Sequence, residues 1–205
     1  MNVAQEEPMA VSVKRPELTM PQAEADLLRR EYAAAEVILE YGAGGSTLVA
    51  AEMAEKQVFA VESDQGWIAM MRAWFAANPP LSPVTLHHGD IGPTVDWGRP
   101  KSESQWRKFL NYPLTIWDHP ALVQPDLVLI DGRFRVGCFL ATMMRITRPV
   151  TLLFDDYANR KAYHIVEEFQ KPAECIGRMA RFEVKPRQPD ATEFGRWVAL
   201  MQRPL

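Results

Sequence analysis

Short apolar runs alternate with helix-patterned segments along most of this chain of 205 residues. The five runs are Val37–Tyr41, Gln57–Glu62, Val84–His88, Asp126–Asp131 and Thr151–Asp156. Apolar runs of this length, bounded by turn residues, are typical of strands buried on both faces of a parallel sheet. Because parallel strands are joined by right-handed helical crossovers, the alternation predicts an α/β fold with helices on both sides of one sheet.

Helical patterns fill the gaps between the predicted strands. They cover Met20–Ala35, Leu48–Lys56, the stretch after Asp64, and about 136–146 and 160–170. Ser46 or Thr47 is expected to cap the second of these helices. The tail contains two stretches with strand-like patterns, Arg178–Lys185 and Arg196–Gln202, which we predict to form an antiparallel pair.

The length of the chain suits one large domain. We expect residues 1–19 to be a flexible N-terminal segment and residues 20–205 to form the domain. Within it, residues 92–124 hold four prolines and three tryptophans and follow no regular pattern. We interpret this tryptophan-rich insert as a lid or a substrate wall. Its large aromatic residues, Trp97, Trp106, Tyr112 and Trp117, either line a pocket or pack the insert onto the domain.

Charge and hydropathy exclude several classes of partner. The net charge is −3 and the basic residues are dispersed, whereas a nucleic-acid surface needs clustered Lys and Arg, so no nucleic-acid partner is expected. No apolar run approaches the roughly 20 residues of a membrane span. Cys138 and Cys175 form no CxxC pair, and we interpret them as reduced thiols of a cytoplasmic protein. The sequence leaves open whether the chain forms a homodimer.

An acidic residue lies at or just after the end of every predicted strand. These residues are Glu40, Glu62, Asp90, Asp131 and the pair Asp155 and Asp156. Acids are poor strand residues and costly to bury without a partner. Because the carboxyl ends of neighbouring parallel strands meet in one crevice, five such ends together indicate a binding site.

A glycine-rich turn, Gly42-Ala43-Gly44-Gly45, follows the first predicted strand. A dinucleotide turn would need a further glycine where Thr47 stands, and the Gly-Lys-Ser/Thr end of a phosphate loop is absent from the sequence. The sequence also lacks the Gly-x-Ser-x-Gly elbow of a serine hydrolase. The acid Glu40, just before the turn, suits a cationic ligand better than a pyrophosphate. At the end of the second strand, Glu62 can accept both hydroxyls of a ribose.

The motif Glu40-x-Gly42-x-Gly44-x-Ser46, followed by Glu62 and by Gly89-Asp90 at the next two strand ends, resembles the class I S-adenosylmethionine-dependent methyltransferase family. The resemblance covers roughly residues 20–201. It implies a three-layer Rossmann-like fold, with a mostly parallel seven-stranded sheet and a C-terminal antiparallel strand pair, and S-adenosylmethionine as the cofactor. The cofactor-binding residues that it implies are Glu40, Gly42, Ala43, Gly44, Ser46, Glu62, Ser63, Asp90, Ile91 and Asp131.

The resemblance also implies which residues bind each part of the cofactor. Glu40 and the glycine turn would hold the methionine part, and Glu62 would bind the ribose. Asp90 would lie beside the adenine and accept a hydrogen bond from its amino group.

Asp131, Asp155 and Asp156 form the candidate reaction centre. Three carboxylates in one pocket repel each other unless a cation lies among them, and carboxylates suit Mg²⁺ or another divalent cation. The arrangement resembles metal-dependent O-methyltransferases, which implies all three as metal ligands and Asp131, Arg133 and Asp155 as catalytic residues. The equally supported alternative is that an arginine pairs with Asp155 or Asp156 and that no metal binds.

The sequence departs from catechol-type enzymes after the fourth strand. Those enzymes carry a lysine shortly after the strand-four acid, whereas this chain continues with Gly132-Arg133-Phe134-Arg135. Arginine stays protonated and is a poor base. Arg133 and Arg135 can instead clamp a carboxylate or a phosphate of the substrate.

Taken together, these residues predict an S-adenosylmethionine-dependent methyltransferase that acts on a small molecule with a hydroxyl or a carboxylate. The second hypothesis is a methyltransferase-like protein that binds the cofactor without turnover, because no catalytic base is obvious. The third is a dinucleotide-dependent oxidoreductase, which Thr47 and Glu40 disfavour.

Overall fold

A seven-stranded sheet forms the centre of the computed structural model, which describes residues 14–205. The strands are β1 (Val37–Tyr41), β2 (Gln57–Glu62), β3 (Val84–His88), β4 (Thr94–Val95), β5 (Arg99–Pro100), β6 (Leu127–Ile130), β7 (Val150–Phe154), β8 (Glu174–Ile176) and β9 (Met179–Val184). The strand order in the large sheet is β3-β2-β1-β6-β7-β9-β8, and β4 and β5 form a separate hairpin. In this sheet the neighbouring strands from β3 through β2, β1 and β6 to β7 are parallel. The strand β9 is antiparallel to both of its neighbours, β7 and β8.

Helices cover both faces of this sheet. The α-helices are α1 (Gln22–Ala34), α2 (Gly45–Ala51), α3 (Gln65–Ala77), α4 (Asn111–Leu114), α5 (Arg135–Arg145) and α6 (Phe194–Met201). Four 3₁₀ segments span Asp96–Gly98, Glu103–Lys108, Thr115–Asp118 and Lys161–Glu168. Within residues 14–205, every helix is too short or too polar to cross a membrane.

Alternate strand residues build two apolar layers. In β1, Leu39 and Tyr41 lie in the cluster that contains Phe139 of α5 and Trp197 of α6. Ile38 points to the other face, where it packs with Leu28 of α1. The alternation follows from the period of two in a strand, and burial on both faces explains why the runs read as continuously apolar. The predicted three-layer α/β fold, with its mostly parallel seven-stranded sheet, is confirmed.

The C-terminal antiparallel pair exists, but the prediction of its second strand was wrong. β9 pairs with β8, which precedes it, and the two are joined through Gly177 at φ +55°. The stretch Arg196–Gln202 lies instead mostly within α6. Its buried residues Trp197, Leu200 and Met201 recur at the spacing of three to four that marks a helix. Trp197 packs edge-on against Phe169, with ring centroids 5.3 Å apart.

The N-terminal boundary of α2 also differs from the prediction. The helix begins at Gly45, earlier than a cap at Ser46 or Thr47 would allow, and Gly44 is its N-cap residue. The predicted flexible segment, residues 1–19, lies partly outside the described residues, which begin at residue 14. Of the rest, the backbone of Glu17 runs so close to Gly45 that a Cβ there would overlap it.

The tryptophan-rich insert packs onto the domain through its second half. Phe109, Tyr112 and Ile116 are buried in the same core cluster as β1 and β6. Trp97 and Trp106, by contrast, are 83% and 48% exposed. The insert is therefore anchored at one end and presents its β4–β5 hairpin at the other.

Tyr112 fixes the insert at the carboxyl ends of the strands. A Cβ placed on Gly89 would lie 2.9 Å from the Tyr112 Cα, and a Cβ on Gly132 would overlap the Tyr112 hydroxyl. Gly132 also approaches the glycine turn, because its added Cβ would lie 2.9 Å from the amide nitrogen of Gly42. Three chain segments thus meet where a side chain has no room.

We expect Gly132→Ala to destabilise the fold by roughly 1–3 kcal/mol, because the new methyl group overpacks this junction. Gly195→Ala is the matched control, since a Cβ there meets nothing within 4 Å and replaces a helical glycine. That control should gain up to about 1 kcal/mol. Urea unfolding measures both changes. Equal stability of Gly132→Ala and the wild type would contradict the packing argument.

Candidate cofactor-binding and active site

The carboxyl ends of β1, β2 and β6 lie side by side and form the centre of the candidate site. β1 pairs with β2 on one side and with β6 on the other. Gly42, directly after β1, adopts φ +108°, a conformation that favours glycine. A Cβ on Gly42 would lie only 2.8 Å from the nitrogen of Gly132, so the turn after β1 touches the turn after β6. The glycine there is required both by its dihedral angle and by this close approach.

Glu40 lies beneath the turn and is held by two hydroxyl groups. Its side chain is fully buried, and its carboxylate oxygens accept hydrogen bonds from Tyr32 Oη and from Thr47 Oγ1. Burial raises the pKa of Glu40 to about 7, although the hydrogen bonds from Thr47, Tyr32 and Ser46 act in the opposite direction. The carboxyl group therefore changes its charge near neutral pH.

Thr47 connects Glu40 to the glycine turn. Its hydroxyl donates to Glu40 and accepts the backbone N–H of Gly44 at 2.9 Å. Thr47, which stands where a dinucleotide motif would have a glycine, thus links Glu40 to the glycine turn by hydrogen bonds. Ala43 and Ser46 are buried within the same turn, and the Ala43 carbonyl accepts the indole N–H of Trp67 at 2.7 Å.

Glu62 is the last residue of β2, and one of its carboxylate oxygens accepts hydrogen bonds from the backbone. Oε1 accepts the backbone N–H groups of Ser63 and Asp64 at 2.6 and 3.0 Å. Among the described residues, Oε2 has no hydrogen-bond partner. Burial raises the pKa of Glu62, and the backbone donors lower it. An acceptor oxygen is therefore left at the strand end where the sequence predicts ribose binding.

The β4–β5 hairpin of the insert borders Glu62. Ser63 Oγ donates to the carbonyl of Gly98 at 2.8 Å, and a Cβ on Gly98 would lie 2.9 Å from Glu62 Oε1. Gly98 has φ +66°, so the hairpin needs a glycine here for its turn as well as for this contact. The insert thus forms a wall beside Glu62.

Asp90 lies beside an adjoining cleft of about 290 Å³, whose lining includes Ser63, Gln65 and His88. Its carboxylate accepts the N–H of Gly92 at 2.9 Å and pairs with Lys108 Nζ at 2.8 Å. The hydrogen bond from Lys108, followed by that from Gly92, lowers the pKa of Asp90. The side chain of the neighbouring Ile91 is buried in the core instead. The adenine role of these two residues stays a prediction.

The three candidate metal ligands do come together, but each carboxylate meets arginine. Asp155 is 1% exposed and accepts Arg178 Nε and Nη2, both at 2.9 Å, in a bidentate pair. Asp156 lies 2.8 Å from Arg160 Nη2, 3.3 Å from Arg178 Nε and 3.5 Å from Arg135 Nη2. Among residues 14–205, no group of three or more His, Cys, Asp or Glu side chains is placed to hold a metal ion.

Arg135 bridges the ends of β6 and β7. Its guanidinium donates to the carbonyls of Gly132, Asp131 and Asp155, and to Asp131 Oδ1 at 3.2 Å. Burial raises the pKa of Asp131 to about 7; Arg135 opposes this shift, and repulsion from Asp155 and Asp156 adds to it. For the neighbouring Asp155, burial would raise the pKa, but the hydrogen bonds and charge of Arg178 keep it below its usual value. Asp131 is thus the carboxyl of this group that accepts a proton near neutral pH.

Arg133 stands apart from the other arginines of the site. Its backbone N–H donates to Tyr112 Oη at 3.3 Å, whereas its buried Nε has no hydrogen-bond partner in the described part of the chain. Burial, followed by repulsion from Arg135, lowers the pKa of Arg133. A half-buried cation without a carboxylate partner is unusual and costly.

The structure brings the predicted residues to the carboxyl edge of one sheet, with Asp90 at an adjoining cleft and Ile91 in the core, and it adds several residues that sequence reasoning missed. Tyr32, Arg160 and Arg178 all contact predicted acids. Tyr32 reads as an apolar position of an amphipathic helix, and the two arginines look like ordinary surface residues. The only sequence signal for a partner was the excess of acids, since buried carboxylates need compensation.

Comparison with solved structures finds a relative of high sequence identity among its matches. A methyltransferase-like protein from Silicibacter pomeroyi is 54% identical, covers 93% of this chain and 99% of its own, and superposes with a TM-score of 0.89. Cofactor-bound Rv0187 from MTB is 14% identical over 87% of each chain, with a TM-score of 0.56, and shares the fold. No family model and no curated protein sequence matches this chain.

We expect the stability difference between the wild type and Glu40→Gln to depend on pH. The pKa of Glu40 is higher in the folded state than its ordinary value of 4.5, so the folded state binds the proton more tightly. The contribution of Glu40 to stability is therefore present at low pH and is lost as pH rises towards about 7. From pH 5 to pH 8 the wild type should lose roughly 2–3 kcal/mol relative to Glu40→Gln.

Urea unfolding at both pH values measures this difference. Glu55→Gln, which removes an exposed carboxylate, is the control and should follow the wild type at both pH values. Parallel pH profiles for the wild type and Glu40→Gln would refute the shift.

Proposed function

We infer, because this chain belongs to the class I S-adenosylmethionine-dependent methyltransferase family, that it binds S-adenosylmethionine and transfers its methyl group to a small-molecule acceptor. The observation that carries this proposal is the junction of β1 and β2. There, the glycine turn at Gly42 lies beside Glu62, which keeps one carboxylate oxygen available. A carboxylate at this position suits the two hydroxyls of a ribose.

The residues of the crevice fit a cationic cofactor. Glu62 Oε1 is held by the N–H groups of Ser63 and Asp64, which orients Oε2 for a ligand. Glu40 lies under the turn with a pKa of about 7, and a nearby cation favours the ionised form of such a carboxyl. The Thr47 hydroxyl donates to Glu40 and accepts the N–H of Gly44, so it fixes the turn relative to the Glu40 carboxyl. We assign the methionine side of the cofactor to this part of the crevice.

Asp131 is the proposed acceptor of the proton that leaves the methylated group. When bound, S-adenosylmethionine supplies a methyl group that is activated for direct displacement. That methyl group would pass to the acceptor oxygen or nitrogen with S-adenosylhomocysteine as the leaving group, and the Asp131 carboxylate would take the proton that the acceptor loses. A pKa of about 7 suits a general base at neutral pH. Arg135 holds the Asp131 carboxylate, and Arg178 holds the neighbouring Asp155.

The carboxylate set does not fit a divalent cation. Asp155 and Asp156 are neutralised by the guanidinium groups of Arg178, Arg135 and Arg160 at 2.8–3.5 Å. A divalent cation would have to displace these pairs and would meet the positive charge of the same guanidinium groups. We therefore favour methyl transfer by proximity and by proton removal, without metal assistance.

A cofactor-binding protein without turnover is the second candidate. It is favoured by one observation: Asp155 is locked in a bidentate ion pair and cannot itself receive a proton from an acceptor. The two candidates share the cofactor site and differ only in whether Asp131 acts on a bound acceptor.

We expect S-adenosylmethionine and S-adenosylhomocysteine to raise the melting temperature of the protein, whereas NAD should not. Glu62→Gln should weaken the binding of S-adenosylhomocysteine by roughly 10–100-fold, because a charged hydrogen-bond acceptor contributes about 1.5–3 kcal/mol. Calorimetric titration measures this loss, with Glu55→Gln as a control of unchanged affinity. Stabilisation by NAD alone would contradict the proposal.

We expect Asp131→Asn to lower turnover by roughly 100-fold or more while it changes S-adenosylhomocysteine affinity only slightly. The measurement is formation of S-adenosylhomocysteine in the presence of a panel of small hydroxylated and carboxylated acceptors. Asp118→Asn, which alters an exposed carboxylate paired with Arg145, is the control. Cofactor binding without turnover on any acceptor of the panel would favour the second candidate.

A further inference from the structure

The crevice holds more positive than negative side chains beside the proposed base. Asp131, Asp155 and Asp156 pair with the guanidinium groups of three arginines, Arg135, Arg160 and Arg178. A fourth, Arg133, lies within electrostatic range of Arg135 and Arg160. Ion pairs account for three of these arginines. The local balance is therefore one positive charge in excess when all three carboxylates are ionised.

The unpaired cation is Arg133. Each of the other three arginines reaches a carboxylate at 3.5 Å or less, whereas the Arg133 side chain reaches none among residues 14–205. Its Nε atom is buried and lacks a hydrogen-bond partner. A guanidinium group offers five donors in a planar fork, so the Nη1 and Nη2 donors of Arg133 remain for an external anion although Nε is buried.

The position of Arg133 places it next to both proposed partners of the reaction. It follows Gly132, whose added Cβ would lie 2.9 Å from Gly42 N of the cofactor turn. It stands two residues after Asp131, the proposed base, and its own N–H is bonded to Tyr112 of the insert. The backbone of Arg133 therefore adjoins the cofactor turn and the proposed base, and its guanidinium group lies within electrostatic range of Arg135, which holds that base.

Arg160 is the second cation with donors to spare. It is about half exposed, and it uses Nη2 for Asp156 and Nη1 for Tyr163 Oη at 3.3 Å. Tyr163 also lies 5.6 Å under the guanidinium carbon of Arg135. Repulsion from Arg135 and Arg160 adds to burial in lowering the pKa of Arg133, so these cations lie within electrostatic range of one another.

We propose that Arg133, assisted by Arg160, binds an anionic group of the methyl acceptor, either a carboxylate or a phosphate, beside Asp131. The proposal rests on the function inferred above, because it assigns this anion to the acceptor of that reaction. Arg135 and Arg178 serve as positioning residues for Asp131 and Asp155. The acceptor class is thereby narrowed to small acidic molecules.

The unpaired state of Arg133 separates a binding role from a structural one. A structural arginine stabilises the free protein, so its removal lowers the melting temperature. Among residues 14–205 the Arg133 side chain has no partner, and Arg135 and Arg160 repel it, so Arg133→Met should melt at the temperature of the wild type or above it. The methionine keeps the apolar stem and its packing.

The test titrates inorganic phosphate and, separately, malonate into the full chain loaded with S-adenosylhomocysteine, at constant ionic strength in chloride. Calorimetry gives the affinity. We expect saturable binding of at least one of the two anions to the wild type and a loss of 10-fold or more in Arg133→Met. Arg160→Met should lose less, and Arg29→Met, on the exposed face of α1, should bind like the wild type. The malonate and phosphate arms distinguish the two anion chemistries.

Two results would overturn the proposal. One is that neither anion binds the wild type beyond the effect of chloride, and the other is that Arg133→Met and Arg29→Met bind the anions equally. A lower melting temperature of Arg133→Met without ligand would show a structural role and would count against it as well. Failure of the proposed function appears separately, as absence of S-adenosylhomocysteine binding in the same preparation before any anion is added.

Discussion

The bridge made by Arg135 is the interaction on which the candidate site depends. A nearly buried guanidinium is costly unless its donors are satisfied, and here they meet three backbone carbonyls and the Asp131 carboxylate. These acceptors belong to the ends of two neighbouring strands. The bridge therefore keeps Asp131 and Asp155 close together in spite of their mutual repulsion. Arg178 and Arg160 complete the neutralisation from outside the strand pair.

The fold and the placement of the candidate cofactor residues at neighbouring strand ends could be predicted from the sequence because their signals are local. Each parallel strand is a short apolar run, and each of these residues lies at the end of its own strand. The glycine turn and Glu62 need no information about distant parts of the chain, since adjacent parallel strands bring them together. The confirmed strand order shows that this reasoning holds for β1, β2 and β3. Ligand contacts at these residues remain predictions.

The side-chain partners of the acids at the strand ends could not be predicted to the same extent, because they come from remote segments. Arg178 lies in the turn between β8 and β9, and only the antiparallel pairing of β9 with β7 brings it to Asp155. Tyr32 reaches Glu40 from the face of α1 that otherwise packs on the sheet. The helix α6 was predicted as a strand for another reason. A short apolar segment such as the one around Trp197 fits a strand and a helix almost equally well until the spacing of its buried residues is known.

The contact between Gly42 and Gly132 limits how such a protein can change. The two turns approach so closely that neither position has space for even one methyl group. Mutational drift at either glycine is therefore penalised whichever acceptor is used. Substitution meets no such steric limit at the exposed side chains of the insert, such as Trp97 and Trp106. The junction of Gly42 and Gly132 is thus the part of this sheet edge where the side chain is fixed by space, whereas the exposed part of the insert tolerates change.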